Sequence, residues 1–386
     1  MDIAVEIKEK RQRLGLTQKE FADALGMGKF GDRTLRRWEN GETSPSSLEI
    51  DRIRSFANAI PFPNTPEAQC KFRFIDLFAG IGGIRIPFQE LEGRCVFTSE
   101  WDAHAQKTYY FNYGEVPAGD ITKIEAEEIP DFDVLLGGFP CQPFSQAGLK
   151  KGFADTRGTL FFEIERIISA KRPKAFLLEN VKQLIGHDGG RTISVILSHL
   201  KELNYQVNYK VLRAAEFGVP QNRERVYIVG FDRNYYNIPD DYSFPYPPPT
   251  FEKTRLGNIL EDNVDAKYTI SDALYAGHLR RKEEHKAKGN GFGFSLFNAD
   301  SEYVNTISAR YYKDGSEILI DQGEGKNPRK LTPRECARLQ GFPEQFVIPV
   351  SDTQAYKQFG NSVAVPVVRA VAKQIVTEMN SFKVME

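Results

Sequence analysis

Val134-Leu135-Leu136-Gly137-Gly138-Phe139-Pro140-Cys141-Gln142-Pro143-Phe144-Ser145 is the stretch on which the reading of this chain turns. The three apolar residues read as a short buried strand, and two glycines then break it. A cysteine between two prolines follows. A thiol at the C-terminal end of a strand stands where an open α/β sheet places its chemistry. Taken alone, Cys141 reads as readily as a small apolar filler, because free cysteines are often buried and inert. A reactive thiol needs a particular microenvironment.

Outward from this stretch, strand-like runs recur at residues 72–78, 95–99, 175–178, 207–212 and 226–231. Helix-like runs lie between them. Leu160, Ile164, Ile167 and Ile168 share one helical face, and Ile193, Ile196, Leu197 and Leu200 share another. This alternation predicts an α/β fold, a doubly wound and mostly parallel sheet. The apolar face Val368, Val371, Ala372 and Ile375 returns to the same domain near the C-terminus.

The chain has 386 residues, enough for two or three domains, and a formal net charge of −1, so any polyanion site must come from local patches. Its four cysteines form no CxxC pair, which speaks against a structural metal site or a disulfide framework and fits a reducing cytoplasm. No apolar run approaches the roughly 20 residues of a membrane span. The first residues lack the pattern of a signal peptide.

Residues 1–60 read as a small helical module. Thr17 with Glu20 forms a capping box, Asp32 is placed to cap a third helix carrying Arg33, Arg36 and Arg37, and Ser46 caps a fourth. The phrases Leu14-Gly15-Leu16-Thr17-Gln18 and Trp38-Glu39-Asn40-Gly41 resemble the Cro/repressor-type helix-turn-helix, with a longer turn at residues 26–31. That resemblance implies that Arg33, Arg36 and Arg37 face the major groove of operator DNA. A packing or dimerisation module is the other reading. A proline-rich linker spans residues 61–71. Residues 72–240 read as a catalytic and cofactor-binding domain, 241–350 as a smaller irregular domain, and 351–386 as a segment returning to the first.

Phe78-Ala79-Gly80-Ile81-Gly82-Gly83 is a glycine turn between a strand and a helix. It lets a ligand approach the backbone, and it departs from the spacing of the NAD fingerprint. Glu100, about 20 residues further on, stands where a ribose-hydroxyl acceptor belongs. Asp120 after Gly119 is a candidate acceptor for an adenine amino group. Glu179-Asn180-Val181 ends a strand, where burial can hold a carboxyl protonated. Gln221-Asn222-Arg223-Glu224-Arg225 brings two guanidinium groups to a strand start. Taken singly, Glu179 reads as an ordinary capping acid, the run at residues 221–225 as a surface ion-pair cluster, and Glu100 and Asp120 have the alternative of solvated acids at strand ends.

Their order, closed by Gln358-Phe359-Gly360-Asn361-Ser362-Val363, resembles the DNA (cytosine-5) methyltransferase family from residue 72 to the C-terminus. The resemblance implies an S-adenosylmethionine domain, a target-recognition domain and double-stranded DNA as substrate. Cys141 would attack C6 of a flipped cytosine, Glu179 would support N3, Arg225 would face O2, and Arg223 would support the surroundings of the cysteine. Phe78 and Trp101 would pack on the adenine, and Ala79, Gly80, Gly82 and Gly83 would approach the methionine moiety. Glu100 would hold the ribose and Asp120 the adenine amino group. Pro140, Leu160, Asn361 and Val363 would complete the pocket. Residues 142–157, with Gln142, Ser145, Lys150 and Lys151, would close over DNA.

Residues 289–297, 306–315 and 331–339 resemble the Dcm and EcoRII branch, which methylates the inner cytosine of CC(A/T)GG, with relatives that accept CCNGG. Arg310 and Lys313 suit guanine edges and Tyr311 a base face. Phosphate contact is the alternative. The expected protein is a prokaryotic modification enzyme that protects host DNA from a partner endonuclease and regulates a promoter through residues 1–60. Removal of those residues is then expected to spare methylation and abolish the promoter footprint. A DNA-binding regulator with an inactive methyltransferase domain, and a tRNA cytosine methyltransferase, are the rival expectations.

Overall fold

The computed structural model describes residues 3–28, 30–56, 59–140, 160–250, 252–289 and 293–385. The chain divides into two compact units. One comprises Met1–Pro63, Lys107–Glu115 and Lys253–Ser362; the other comprises Asn64–Gln106, Val116–Glu252 and Val363–Glu386.

The first unit opens with four helices, α1 (Ile3–Arg13), α2 (Gln18–Ala24), α3 (Gly31–Glu39) and α4 (Ser47–Ser55). Thr17 and Ser46 each accept from the backbone N–H three residues on, and Glu20 and Glu49 reach back to the capping residues. Each such cap is worth about 1 kcal/mol. Asp32 is a correction: α3 begins one residue before it, with Phe30 at the cap and no side-chain cap hydrogen bond. Asp32 therefore lies in the first turn, where its charge still suits the helix N-terminus.

The second unit holds a six-stranded sheet built from β1 (Phe72–Leu77), β2 (Gly93–Ser99), β3 (Val134–Gly138), β4 (Ala175–Val181), β5 (Tyr205–Arg213) and β6 (Glu224–Asp232). Its spatial order is β2-β1-β3-β4-β6-β5. The pairs β1/β2, β1/β3 and β3/β4 are parallel, whereas β6 runs antiparallel to both β4 and β5. The reason lies in the connection: residues 214–223 are too few for the crossover that parallel neighbours require. The reversal has a chemical consequence. The start of β6 reaches the same sheet edge as the ends of β1 to β4, with Arg225 opposite Val181 in register.

Helices cover both sheet faces. α7 (Leu160–Lys171) and α8 (Arg191–Glu202) bury Ile164, Ile167, Ile168, Ile193, Ile196 and Leu200 in a cluster with Ile75, Leu135 and Phe176. The opposite face holds Phe74, Leu136 and Leu177 with Val368, Val371 and Ile375, which belong to the last helix at Val365–Ser381. Val134, Leu135 and Leu136 are wholly buried, which is why that strand is apolar without alternation. Two further helices belong to this unit in whole or in part. α5 (Arg85–Glu90) follows the glycine turn, and α6 starts at Ala103 and runs to Tyr113, so the division into units passes through it.

The rest of the first unit carries α9 (Asp272–Ala287), α10 (Pro333–Leu339) and α11 (Asp352–Asn361), and the helix Val365–Ser381 in the second unit is α12. In the second unit the two-residue β7 (Tyr236–Asn237) pairs antiparallel with Lys383–Val384. In the first, the small β8–β9 pair (Leu296–Phe297 with Leu319–Ile320) and a long irregular path lie in the chain between α9 and α10. A buried bidentate pair, Arg329 to Glu335 at 2.7 and 2.8 Å, anchors α10 to this path.

Candidate active site

The glycine turn begins where β1 ends. Phe78 takes a φ of 54° and Gly80 and Gly82 take 54° and 79°, the left-handed region that favours glycine. Phe78 is the non-glycine exception, which marks a position held by its surroundings. Ala79 N–H donates to Ser99 O at 3.0 Å, tying the turn to the end of β2. Gly83 is buried beneath it. Gly80 N–H donates to Glu100 Oε2 at 2.8 Å, and Asp102 N–H donates to Oε1 at 2.8 Å. Burial pushes the Glu100 carboxyl upward, and those backbone donors oppose the shift. Gln106 Nε2 donates to Glu100 O at 2.5 Å. Both sides of the acid are thus fixed.

Around Glu100 there is room for a ligand. Trp101 is 79% exposed. A Cβ at Gly80 or at Gly119 would meet no atom within 4 Å. Ala118 N–H donates to Thr98 O at 2.8 Å, which lays the segment leading to Asp120 beside the end of β2. Asp120 Oδ1 accepts from Thr122 Oγ1 and N–H at 2.8 and 3.1 Å, and these bonds hold its carboxyl below the usual range. An open glycine turn, a fixed acid, an exposed indole and an ionised second acid suit a nucleoside with ribose and amino groups to bind. Leu160, half-buried, opens α7, and Val363 is buried with Phe74, Ile84 and Leu136. Asn361, exposed at the end of α11, belongs to the first unit.

The second cluster lies at the ends of β3, β4 and the start of β6. Glu179 stands opposite Gly138 in parallel register, and a Cβ at Gly138 would lie 3.8 Å from Glu179 Oε2. Asn180 Nδ2 donates to Phe139 O at 2.9 Å, so β4 holds the backbone that leads to exposed Pro140. Arg225 Nε lies 3.1 Å from Glu179 Oε1, and its Nη1 donates to Glu224 O. Burial raises the Glu179 carboxyl, with Arg225 and Arg223 pulling the other way. Arg223 is only 2% exposed, and burial pushes it down to about 9, still charged at neutral pH. The cluster is therefore a buried carboxyl that readily holds a proton, flanked by two cations. Asn180 was legible only as part of a tripeptide; its grip on Phe139 needs the strand register.

Cys141, Gln142, Ser145, Lys150 and Lys151 lie outside the described residues, as does part of the 289–297 stretch. In the first unit, Arg310 and Lys313 are exposed. Tyr311 is a correction. It is fully buried, its hydroxyl donates to Ile318 O at 2.6 Å and accepts from Leu331 N–H at 2.8 Å, and its ring packs on Tyr356. It holds the loop together and has no free face for a base. In α3, Leu35 and Trp38 point into the core while Arg33, Arg36 and Arg37 are exposed. Arg33 stacks over Phe30 at 5.3 Å and Arg37 lies 3.9 Å from Glu42.

The mostly parallel sheet with this nucleoside-type edge defines the fold of S-adenosylmethionine-dependent methyltransferases. A solved methyltransferase of that fold, S. pombe Dnmt2, superposes with a TM-score of 0.66 at 22% identity, over 80% of this chain and all of the other. Residues 72–377 match the C-5 cytosine-specific DNA methylase family, and residues 7–59 match a helix-turn-helix family. Type II methyltransferase M.SsoII of Shigella sonnei is 61% identical over 98% of this chain and 99% of its own length. M1.ScrFI of Lactococcus lactis subsp. cremoris is 63% identical over 99% and 97%. The DNA-cytosine methyltransferase of Escherichia coli K12 is 44% identical over 91% and 87%. The chain belongs to the C-5 cytosine-specific DNA methyltransferase family and carries an N-terminal helix-turn-helix domain. Among the described residues, no helix is long and apolar enough to cross a membrane.

Proposed function

We infer that the chain methylates C5 of a flipped cytosine through a covalent Cys141 adduct, as the modification enzyme of a type II restriction–modification system. The observation that carries this reading is the strand-end cluster: Glu179 beside Arg225, with Asn180 holding the backbone one residue before Pro140-Cys141. Cytosine C5 is a poor nucleophile. Addition of the Cys141 thiolate to C6 places electron density on C5 and on the N3–O2 edge. Protonated Glu179 donates to N3, and the Arg225 guanidinium stabilises O2. Loss of the C5 proton and expulsion of the thiolate then restore the ring.

Bound S-adenosylmethionine supplies an electrophilic methyl group on a sulfonium. Phe78, Trp101 and the turn Ala79-Gly80 with Gly82-Gly83 form its cradle, Glu100 its ribose acceptor and Asp120 its adenine acceptor. Pro140, Leu160, Asn361 and Val363 are the remaining candidates. Arg223, buried beside the pair, supports the electrostatics around Cys141. Gln142, Ser145, Lys150 and Lys151 form the segment that closes over phosphate, and Arg310 and Lys313 read the outer guanines of a CCNGG or CC(A/T)GG site. Arg33, Arg36 and Arg37 bind an operator, which makes the enzyme a regulator of its own or the endonuclease promoter. The domains run as 1–60, 72–240, 241–350 and 351–386, with 61–71 as linker.

Bisulfite sequencing of plasmid from cells expressing wild type or Cys141→Ser tests this. The expected result is complete protection of the inner cytosine of CC…GG sites with wild type and none with the variant. An unmethylated plasmid despite soluble wild-type protein would leave a regulator with an inactive domain, and methylation confined to tRNA would favour the RNA reading.

A further inference from the structure

The family resemblance gives Asn361 and Val363 a place in the cofactor pocket and leaves Gly360, within the same motif, without a role. It is buried in the last turn of α11, and a Cβ there would stand 2.3 Å from Ser308 C and 2.4 Å from both Ala309 N and Ser308 O. Those are backbone atoms, so no change of rotamer relieves the overlap. Carbon contacts settle at about 3.5–4.0 Å. Only glycine lets the helix lie this close to residues 308–309.

The segment it touches is the one that presents Arg310 and Lys313. Ser308 Oγ donates to Glu317 Oε1 at 2.5 Å and accepts from Arg310 N–H at 3.1 Å. Lys313 N–H donates to Arg310 O at 2.9 Å, closing the turn. The helix behind is itself fixed. Tyr356 Oη donates to Leu331 O at 2.6 Å, and its ring lies 5.2 Å from that of Tyr311. Phe359 O accepts from buried Gln340 Nε2 at 2.7 Å, and Gln358 Oε1 accepts from Thr108 Oγ1 at 2.9 Å. These three ties lie within the first unit. Two exposed cations are therefore carried on a turn pressed against a rigid backplate, and bidentate reading of a base edge needs such a fixed origin.

We propose that Gly360 is a positioning residue for DNA sequence selection: it seats α11 against Ser308–Ala309 and so fixes Arg310 and Lys313 where they read the target. Gly360 touches no base and acts through the loop. The proposal rests on the reading of Arg310 and Lys313 as DNA contacts. A methyl group at 360 pushes the loop outward by about an ångström or more, which spoils two-point hydrogen bonding while leaving phosphate attraction in place.

The test uses full-length Gly360→Ala, Ser308→Ala and Arg310→Ala. Each is assayed on a duplex bearing the site mapped for wild type and on duplexes with one outer base pair changed. S-adenosylmethionine affinity is measured by calorimetry. Gly360→Ala is expected to narrow cognate discrimination in kcat/KM by about tenfold or more, since a bidentate contact distinguishes bases on the order of ten- to hundredfold. Its cofactor affinity stays within about twofold. Ser308→Ala, which keeps the backbone packing and removes the acceptor of Arg310 N–H, moves the same way and decides the matter should Gly360→Ala not fold. Weakened cofactor binding with discrimination intact would overturn the proposal, as would wild-type discrimination in Ser308→Ala. If Arg310→Ala retains full discrimination while Gly360→Ala loses it, the Arg310 reading fails and the positioning role stands on Lys313.

Discussion

In the proposed mechanism Glu179 carries most of the chemistry that side-chain geometry can explain. Burial keeps its carboxyl protonated to higher pH than an exposed glutamate, and Arg225 at 3.1 Å restrains the shift. Its folded-state pKa lies above the unfolded one. The stabilisation tied to the protonated form is complete below the unfolded value and is lost as pH rises through the folded value. The proposed donation to N3 follows the same sense, so kcat should fall on the alkaline side of that pKa. Glu179→Gln retains an N–H donor that does not titrate. It is expected to lower kcat by roughly two orders of magnitude and to remove that limb of the pH profile. A variant with wild-type kcat and an unchanged profile would rule out the role. Asn180→Ala is expected to lower kcat about tenfold with little change in cofactor KM, because it frees the Phe139 carbonyl that β4 now holds. Steady-state kinetics with both substrates varied separate the two effects. The residue types at this edge were readable from sequence because each ends or begins an apolar run. Tyr311 was not, since an aromatic beside two cations looks the same whether it meets a base or the protein core.

At the level of elements, the strands and their covering helices were legible from hydrophobic pattern: β3 and β4, buried on both faces, open on continuous apolar runs, and the helices repeat with their turn. The direction of β6 was not part of that signal. It follows from the ten-residue connection after β5, and it is what brings Arg223 and Arg225 to the edge where β4 ends. The two-residue strands β8 and β9 leave too short a pattern to read. Caps were legible where serine or threonine precedes glutamate by three, as at Thr17 and Ser46, and misled at Asp32, where the helix starts earlier. Ser46→Ala is expected to destabilise the N-terminal helices by about 1 kcal/mol, read as a lower urea midpoint with unchanged slope. An unchanged midpoint would show that packing alone holds α4.

The N-terminal module is not a bead on a string. Its core of Ile7, Leu16, Phe21, Leu35, Trp38 and Ile53 is closed by Phe111 of α6, with Val347 packed alongside. Lys107 Nζ reaches Glu20 Oε2 at 2.9 Å and Gly15 O at 3.2 Å. Removing residues 1–60 uncovers Phe111, so the deletion tests stability together with function and no longer separates promoter binding from methylation. Phe111→Ala in the full chain is the cleaner probe. It is expected to destabilise the four helices by about 3 kcal/mol and to make them the first site of limited proteolysis. A wild-type cleavage pattern would show that the module is self-sufficient. The run Tyr109-Tyr110-Phe111-Asn112-Tyr113 is conspicuous in the sequence, but aromatics on every side of a helix do not say which neighbour each one meets.

Covalent methyl transfer through Cys141 is the claim on which the account of the whole molecule stands. A duplex carrying 5-fluorocytosine at the target position tests it most directly, because fluorine replaces the C5 proton and cannot leave as a cation, so the thiolate is not expelled and the adduct persists. With cofactor present, the wild type is expected to form a denaturation-resistant protein–DNA complex whose peptide, by mass spectrometry, carries the nucleotide on Cys141, and Cys141→Ser is expected to form none. An adduct on another residue, or methylation of ordinary DNA without any trapped complex, would contradict it.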